Sequence, residues 1–310
     1  YRSGWLFTDP AQHRALPRSV CIDIRKMTPS MLEGYDAIVH MAELSNDPLG
    51  ESNREVTFDI NHGGSVILAE AAKAAGVSRF IYTSSCSVYG VADEEVVDET
   101  SSVNPQTAYA ECKVRVEQDV GAMADSRFAP VFLRNATAYG ASPRMRFDIV
   151  LNNLAGLAWT TGKIAMTSDG TPWRPIVHIE DIGTAIISCL TAPVEAISGQ
   201  VFNVGANAEN YRIREIAQIV KEVFPDCELT FGPSGGDNRS YRVSFDKIDA
   251  MLPGFRCRWT AREGARQLRQ VFERIQMRPD DFEAPAYTRL RGLKQLIATG
   301  QIDENYFWTA

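Results

Sequence analysis

Short, unbroken apolar runs alternate with longer segments of helical period along the first two thirds of this chain. Ser19-Val20-Cys21-Ile22, closed by Asp23, is one such run, and Tyr35-Asp36-Ala37-Ile38-Val39-His40 is the next. Arg79-Phe80-Ile81-Tyr82-Thr83, Pro130-Val131-Phe132-Leu133-Arg134 and Gln200-Val201-Phe202-Asn203-Val204-Gly205 continue the series. Between them, residues 51–76 carry Ile60, Val66, Ile67, Ala69 and Ala72 at helical spacing, with Gly76 placed to stop the helix. A second helix is expected from Gln106 to about Met123. Apolar runs without alternation are strands buried on both faces, and strands alternating with helices make a parallel sheet. The expected fold class is therefore α/β, a doubly wound parallel sheet.

The second half is more mixed. Helices are expected at 147–161, from Asp181 as cap to about Leu190, and at 212–223 and 260–275, with a strand at Tyr241–Ser244. In the tail, Leu290, Leu293, Leu296 and Ile297 share one helical face before Gly300, which predicts packing. The chain divides into a dinucleotide-binding unit of 1–145 plus about 175–205 and a smaller mixed α/β unit of about 146–174 plus 206–310.

Ligands of parallel α/β sheets bind beyond the carboxyl ends of the strands. The polar residues cluster there: Asp23, the loop after His40, Ser84 to Ser87, and Asn135. Tyr109-x-x-x-Lys113 opens the helix that follows one of these ends. Residues four apart on a helix share a face. A phenol at its usual pKa near 10 is only about 0.1% ionised at neutral pH. A shift of about 3 units, or about 4 kcal/mol, makes it a usable base. One cation about 4 Å away in a partly buried site supplies that much. Tyr109 and Lys113 are thus a sufficient proton-transfer pair.

Composition narrows the class. The 310 residues are 45% hydrophobic and 23% charged, as in ordinary globular proteins. A net charge of −7 disfavours nucleic acid as partner. No run of about 18 apolar residues is present, so no membrane span is expected. Tyr1-Arg2-Ser3-Gly4-Trp5 carries no apolar leader pattern. The six cysteines are scattered without a Cys-x-x-Cys pair, which argues against a metal site and suits a reducing cytoplasm.

Taken together, these residues resemble a family. Asp23-Ile24, Val39-His40-Met41-Ala42, Asn61-x-x-Gly64, Ser84-Ser85-Cys86-Ser87-Val88-Tyr89-Gly90, Tyr109-x-x-x-Lys113, Leu133-Arg134-Asn135, Asn152-Asn153-Leu154, Trp173-Arg174-Pro175-Ile176-Val177-His178 and Phe202-Asn203-Val204-Gly205 stand in one order. The chain is similar over nearly its whole length to the extended short-chain dehydrogenase/reductases, in particular the NAD-dependent epimerase/dehydratase group acting on nucleotide sugars. The resemblance implies a Rossmann-like fold, NAD as cofactor with NADP open, and a nucleotide-diphosphate sugar as substrate. It implies Tyr109 as acid/base and Lys113 on the nicotinamide ribose, lowering the Tyr109 pKa. Ser85 would position the reacting hydroxyl. Asp23 and Ile24 would contact adenine, Ala42 would line the phosphate path, and Asn61 would be a structural or water-relay residue. Asn153 and Arg174 would face the diphosphate, and Asn135 the substrate, while His178 is expected to be a packed histidine. A homodimer through helix 51–76 and the Tyr109 helix is also implied.

Three departures shape the functional expectation. The family's opening strand, Gly-x-x-Gly-x-x-Gly turn and helix have no counterpart before Asp23, so the first βαβ unit is expected upstream of Tyr1, and these residues alone are expected neither to hold NAD nor to stay soluble. Cys86 and Ser87 stand where related dehydratases carry an Asp-Glu pair and decarboxylases a Glu. Ser234 stands where a diphosphate-binding Arg is often found, and Arg239 could substitute. The expected activity is that of an NAD(P)-dependent 4-epimerase, with an NADPH-dependent ketoreductase as the rival. A non-catalytic dinucleotide-binding protein is the remote alternative, against which the intact Ser85, Tyr109 and Lys113 set argues.

Overall fold

Four of the apolar runs pair side by side as parallel strands. The computed structural model describes residues 6–7, 20–45, 47–91, 95–234 and 240–309. β1 (Ala37–His40) is followed by α1 (Asp47–Ser52), α2 (Arg54–Thr57), a π turn over Phe58–Gly63 and α3 (Gly64–Ala74). The chain returns along β2 (Arg79–Ser85), then runs through α4 (Ala108–Gly121), β3 (Ala129–Asn135) and the short β4 (Thr137–Tyr139). Next come α5 (Val150–Thr161), β5 (Lys163–Ala165), β6 (Trp173–His178), α6 (Ile179–Thr191), α7 (Val194–Ile197) and β7 (Val201–Val204). β8 (Asn210–Arg212), α8 (Ile213–Val223), β9 (Glu228–Thr230), α9 (Asp246–Met251), α10 (Ala261–Ile275), α11 (Pro279–Glu283) and α12 (Arg289–Ala298) follow.

The main sheet has the order β1-β2-β3-β7, all parallel. Ile81 pairs with Val39 on one side and Val131 on the other, and Leu133 pairs with Phe202. Alternate residues serve the two faces, as the pleat requires. Phe80, Tyr82 and Phe132 pack with Leu68 and Ala72 of α3 and Val116 and Val120 of α4. Ile81, Val131, Leu133 and Phe202 pack with Ala185 and Cys189 of α6 and with Phe245. Both faces are therefore covered, and the strands read as continuous apolar runs for that reason.

A second layer is built differently. β4, β6 and β8 form one small sheet, with β6 and β8 antiparallel, and β5 pairs with β9. α5, α8 and α10 pack through Leu151, Ile216, Leu268 and Phe272. α8 and α10 are the most one-sided of these, and Thr260 and Glu263 close a capping box at the start of α10.

Three local expectations are corrected. Residues 20–23 are not a strand: Val20 is 62% exposed, and Asp23 instead caps a single 3-10 turn over Ile24–Lys26. A strand exists only through ladder bonds, and among the described residues β1 pairs only with β2. Asp181 does not cap α6; His178 does, accepting a bond from Glu180 N, while Asp181 accepts from Arg258 N and Trp259 N. Tyr241–Ser244 contributes one bridge, Val97 to Val243, rather than a strand.

Candidate active site

α4 begins where β2 ends, and this brings Ser85, Tyr109 and Lys113 together. Thr107 caps the helix by accepting from Ala110 N at 3.3 Å, and its own hydroxyl donates to Asp47 at 2.7 Å. Glu51 accepts from Ala108 N at 2.6 Å, adding a carboxylate at the positive end of the helix. Gly50 lies against Tyr109, where a Cβ would stand 3.4 Å from the Tyr109 Cβ. Thr107→Ala is expected to cost about 1 kcal/mol through loss of the cap. A urea unfolding midpoint lowered accordingly, and largely restored by Thr107→Ser, checks this.

Lys113 is buried. Its ammonium lies 5.3 Å from the centre of the Tyr109 ring and 4.4 Å from that of Tyr82, and it donates to Thr83 O at 2.5 Å. Its nearest charged neighbour is Glu43, whose Oε2 is 2.7 Å away in a pair with side chains only 4% and 3% exposed. Tyr82 donates to the other Glu43 oxygen at 2.5 Å. The Ser85 hydroxyl stands beside the Tyr109 side chain and favours its ionised form. Burial raises the Tyr109 pKa above the usual phenol value; the Lys113 charge and the Ser85 hydroxyl oppose that rise, and the Glu43 charge adds to it. Tyr109 thus keeps its proton at neutral pH here, although Lys113 acts on it in the expected direction.

The loop after β1 is held from beneath. Asn61 is fully buried and grips Leu44 with both ends of its amide, accepting from Leu44 N at 2.8 Å and donating to Leu44 O at 3.1 Å. His40 shares a 2.7 Å bond with Ser65, and burial lowers its pKa to about 3, so it stays neutral. Gly64 is small because Ile24 lies on it: a Cβ would meet the Ile24 side chain at 2.8 Å. Ile24 is therefore packed on α3, and the exposed Ala42 sits in the loop that Asn61 holds.

The other sequence-chosen residues are spread more widely. Asp23 forms an ion pair with Arg25 at 2.8 Å, which lowers its pKa. Arg25 also binds Asp59 and Asn305 O and stacks 3.6 Å from the Phe307 ring centre. Asn135 lies level with Ser85 in the sheet and donates to Ser84 O at 3.4 Å. Asn135 Oδ1 and Ser87 Oγ are buried with no hydrogen-bond partner among the described residues. Asn153 donates to Phe147 O at 2.9 Å, and Arg174 lies on β6 with its guanidinium 5.5 Å from the Tyr241 ring centre. Arg239 falls outside the described residues. Cys86 is buried, donates to Arg134 O at 3.1 Å, and has its pKa pushed up by burial. His178 is buried and stacked 4.0 Å from Trp259.

Two features escaped the sequence reading. Glu43 was only a loop residue. The tail helix α12 forms a wall of a cleft of about 440 Å³, with Leu293 and Leu296 facing Glu43 and Leu49 across it. Neither Tyr109 nor Ser85 lines that cleft; Glu43 is the link between it and the Lys113 site. Among the described residues no His, Cys, Asp and Glu group could hold a metal ion, and no helix is long and apolar enough to cross a membrane.

The chain is similar in sequence and fold to proteins of known activity. The UDP-glucose 4-epimerase of Lactobacillus helveticus is 29% identical over 238 residues, 71% of this chain and 72% of its own length. The dTDP-D-glucose 4,6-dehydratase of Mus musculus is 28% identical over 202 residues, 64% of this chain, and the match spans little more than half of that protein, 55%. Among solved structures, MoeE5 in complex with UDP-glucuronic acid and NAD superposes with a TM-score of 0.73 at 25% identity, covering 84% of this chain and 89% of that one. RMD from Pseudomonas aeruginosa complexed with NADPH, at 21% identity, shares the Rossmann-like fold with a TM-score of 0.71 over 86% of this chain and 93% of that one. The model of the NAD dependent epimerase/dehydratase family matches residues 18–205, more than half of the 310. The chain belongs to the NAD dependent epimerase/dehydratase family.

Proposed function

We propose that this chain serves a nucleotide-sugar epimerase of the 4-epimerase type. The observation that carries the reading is the Ser85, Tyr109 and Lys113 cluster at the carboxyl ends of β2 and α4's first turn, with no second acid or base beside it at 86 and 87. Dehydration of a sugar needs an additional acid and base. Cys86 is buried and bonded to a backbone carbonyl, and Ser87 offers only a hydroxyl.

Bound NAD would supply the hydride acceptor and donor for the sugar carbon. The chain's own residues handle the proton and the pose. As the phenolate, its own proton first given to solvent, Tyr109 accepts the proton of the hydroxyl on that carbon and returns it to the same oxygen when the carbon is reduced again. Ser85 holds the same oxygen. Lys113 carries the positive charge that favours the phenolate. Asn135 Oδ1 and Ser87 Oγ support the reading as groups that a sugar would satisfy. At the adenine end, Asp23 is already engaged by Arg25, so this reading leans on the sugar end of the site. Asn153 and Arg174 belong to the same proposal as contacts of the diphosphate, and homodimerisation through α3 and α4 accompanies it.

The test is cofactor handling. The intact natural protein is incubated with NAD and a panel of uridine- and thymidine-diphosphate hexoses, and products are resolved by stereochemistry. Formation of the C4 epimer without net change in nicotinamide absorbance is expected. Net NADPH consumption on a keto sugar establishes the reductase instead, and a 4-keto-6-deoxy product establishes a dehydratase.

A further inference from the structure

The carboxylate beside Lys113 has no part in the chemistry just described. It comes from outside the motif, on the loop between β1 and α1, some 70 residues before its partner. Oε2 forms an ion pair with the Lys113 ammonium at 2.7 Å and has no hydrogen-bond partner among the described residues, and Oε1 accepts the Tyr82 hydroxyl at 2.5 Å. Its side chain is 3% exposed. The loop is not free to carry it away, because Asn61 clamps the next residue, Leu44, through both backbone groups. A buried carboxylate is costly unless paired. The fold therefore spends a clamp, a tyrosine and a lysine on keeping this one in place.

We propose that Glu43 is a positioning residue of the Tyr109 site: its carboxylate anchors the Lys113 ammonium and so sets how readily Tyr109 gives up its proton. The proposal rests on the reading of Tyr109 as the acid/base. A lysine held by Glu43 spends part of its field on that carboxylate and is drawn toward β2, where Thr83 O also takes a hydrogen bond from it. A lysine released from Glu43 is free to turn its full charge on Tyr109, four residues back on the same face of α4.

The groups around Tyr109 leave this as the adjustable pair. From α4 come Lys113 and, a turn further on, Glu117, which is already paired with Arg134 at 2.7 Å. From β2 come Ser85, whose hydroxyl favours the Tyr109 phenolate, and Tyr82, bonded to Glu43. Arg146, in the segment before α5, favours the phenolate and is paired with Asp148 at 2.8 Å. From α1, Glu51 is bound to Ala108 N. His40 on β1 is neutral. Removing Glu43 therefore removes the one nearby anion whose partner is Lys113.

The test reads Tyr109 directly and does not need turnover. The full chain is labelled with tyrosine carrying carbon-13 at Cζ, and the Tyr109 resonance is assigned by its loss in Tyr109→Phe. Glu43→Gln is expected to lower the Tyr109 titration midpoint by about one pH unit or more, the size of shift that a neighbouring charge produces. Lys113→Met is expected to raise it. In the Lys113→Met background, Glu43→Gln should move it by a clearly smaller step, because the anchor then has nothing to hold and only the direct repulsion between the Glu43 charge and the phenolate remains. An unmoved midpoint in folded Glu43→Gln overturns the proposal, and so does an equal shift in both backgrounds, which would make Glu43 a direct influence. Should Glu43→Gln not fold, Glu43→Asp takes its place: the charge is kept but withdrawn by one methylene, and the midpoint must fall by a smaller step, an unmoved one overturning the proposal. Absence of epimerase activity leaves this titration unaffected, so the two readings fail separately.

Discussion

Tyr109→Phe is expected to lower turnover of the nucleotide sugar by about 10²–10⁴-fold, the usual contribution of a positioned acid/base. The substitution is narrow. Phe keeps the Cβ that lies against Gly50 and the ring that Lys113 approaches at 5.3 Å from its centre. Only the hydroxyl beside Ser85 is lost. The fall should appear in kcat with little change in KM, because the missing group acts on the reacting oxygen and not on the nucleotide. Thermal unfolding should stay near wild type, which separates lost chemistry from lost fold. The pH profile supplies a second readout. Burial raises the Tyr109 pKa, so the proton must be given up against that rise before the phenolate can accept another. Wild-type turnover is therefore expected to climb as pH rises above neutral, and the residual activity of Tyr109→Phe should lack that limb. Turnover unchanged in Tyr109→Phe would remove every acid/base reading of this site.

The parts of this molecule legible in the sequence are those fixed by local pattern. β2, β3 and β7 are apolar runs because both of their faces are covered, and they lie within a residue or two of the expected bounds. Ser85, Tyr109 and Lys113 could be placed together because a strand end and a helix start are adjacent in any βαβ unit. What could not be read depends on partners distant in the chain. Val20 to Asp23 has the composition of a strand, but composition does not supply the neighbour whose ladder makes one. Asp181 looks like a cap from its position, yet its acceptor bonds go to Arg258 N and Trp259 N, which only the packed fold brings near. Glu43 is the most instructive case. A single acidic residue in a polar loop reads as solvated, and nothing local signals that Lys113 and Tyr82 close on it. A signal was nonetheless present: Lys113 lies on the buried face of α4, between Cys112 and Val116, and a buried ammonium requires an anion. The tail hid its role for a similar reason. The expected packing is only partial, since its leucines are half-buried and Ile297 is exposed, while Leu293 and Leu296 line a cleft that contains Glu43.

The same logic of buried partners gives the largest stability effect. Arg134 of β3 binds Glu117 of α4 through two nitrogens, with Nη2 to Oε2 at 2.7 Å and side chains only 8% and 7% exposed. Its remaining Nη1 donates to the Tyr89 hydroxyl at 3.0 Å, and Tyr89 donates to Asn203 of β7 at 2.8 Å. Ser84 donates to Glu117 at 2.5 Å. This network staples α4 to three strands just behind the active site. Arg134→Met preserves volume but leaves the Glu117 charge buried with no cation, which is expected to cost about 3–5 kcal/mol. Glu117→Leu strands the arginine and should cost a similar amount. The double variant removes both charges and should lie within about 1–2 kcal/mol of wild type, because desolvation of the pair offsets most of its attraction. Urea unfolding of the four proteins closes the cycle. Simple additivity of the two single losses would show that the pair does not act as a unit. Activity extends the argument. Glu117 sits one turn after Lys113, so slack in this staple moves the helix that carries the acid/base. The single variants should lose activity as well as stability. The double variant should recover both if the pair serves to hold α4, but only stability if its charges also tune the Tyr109 site.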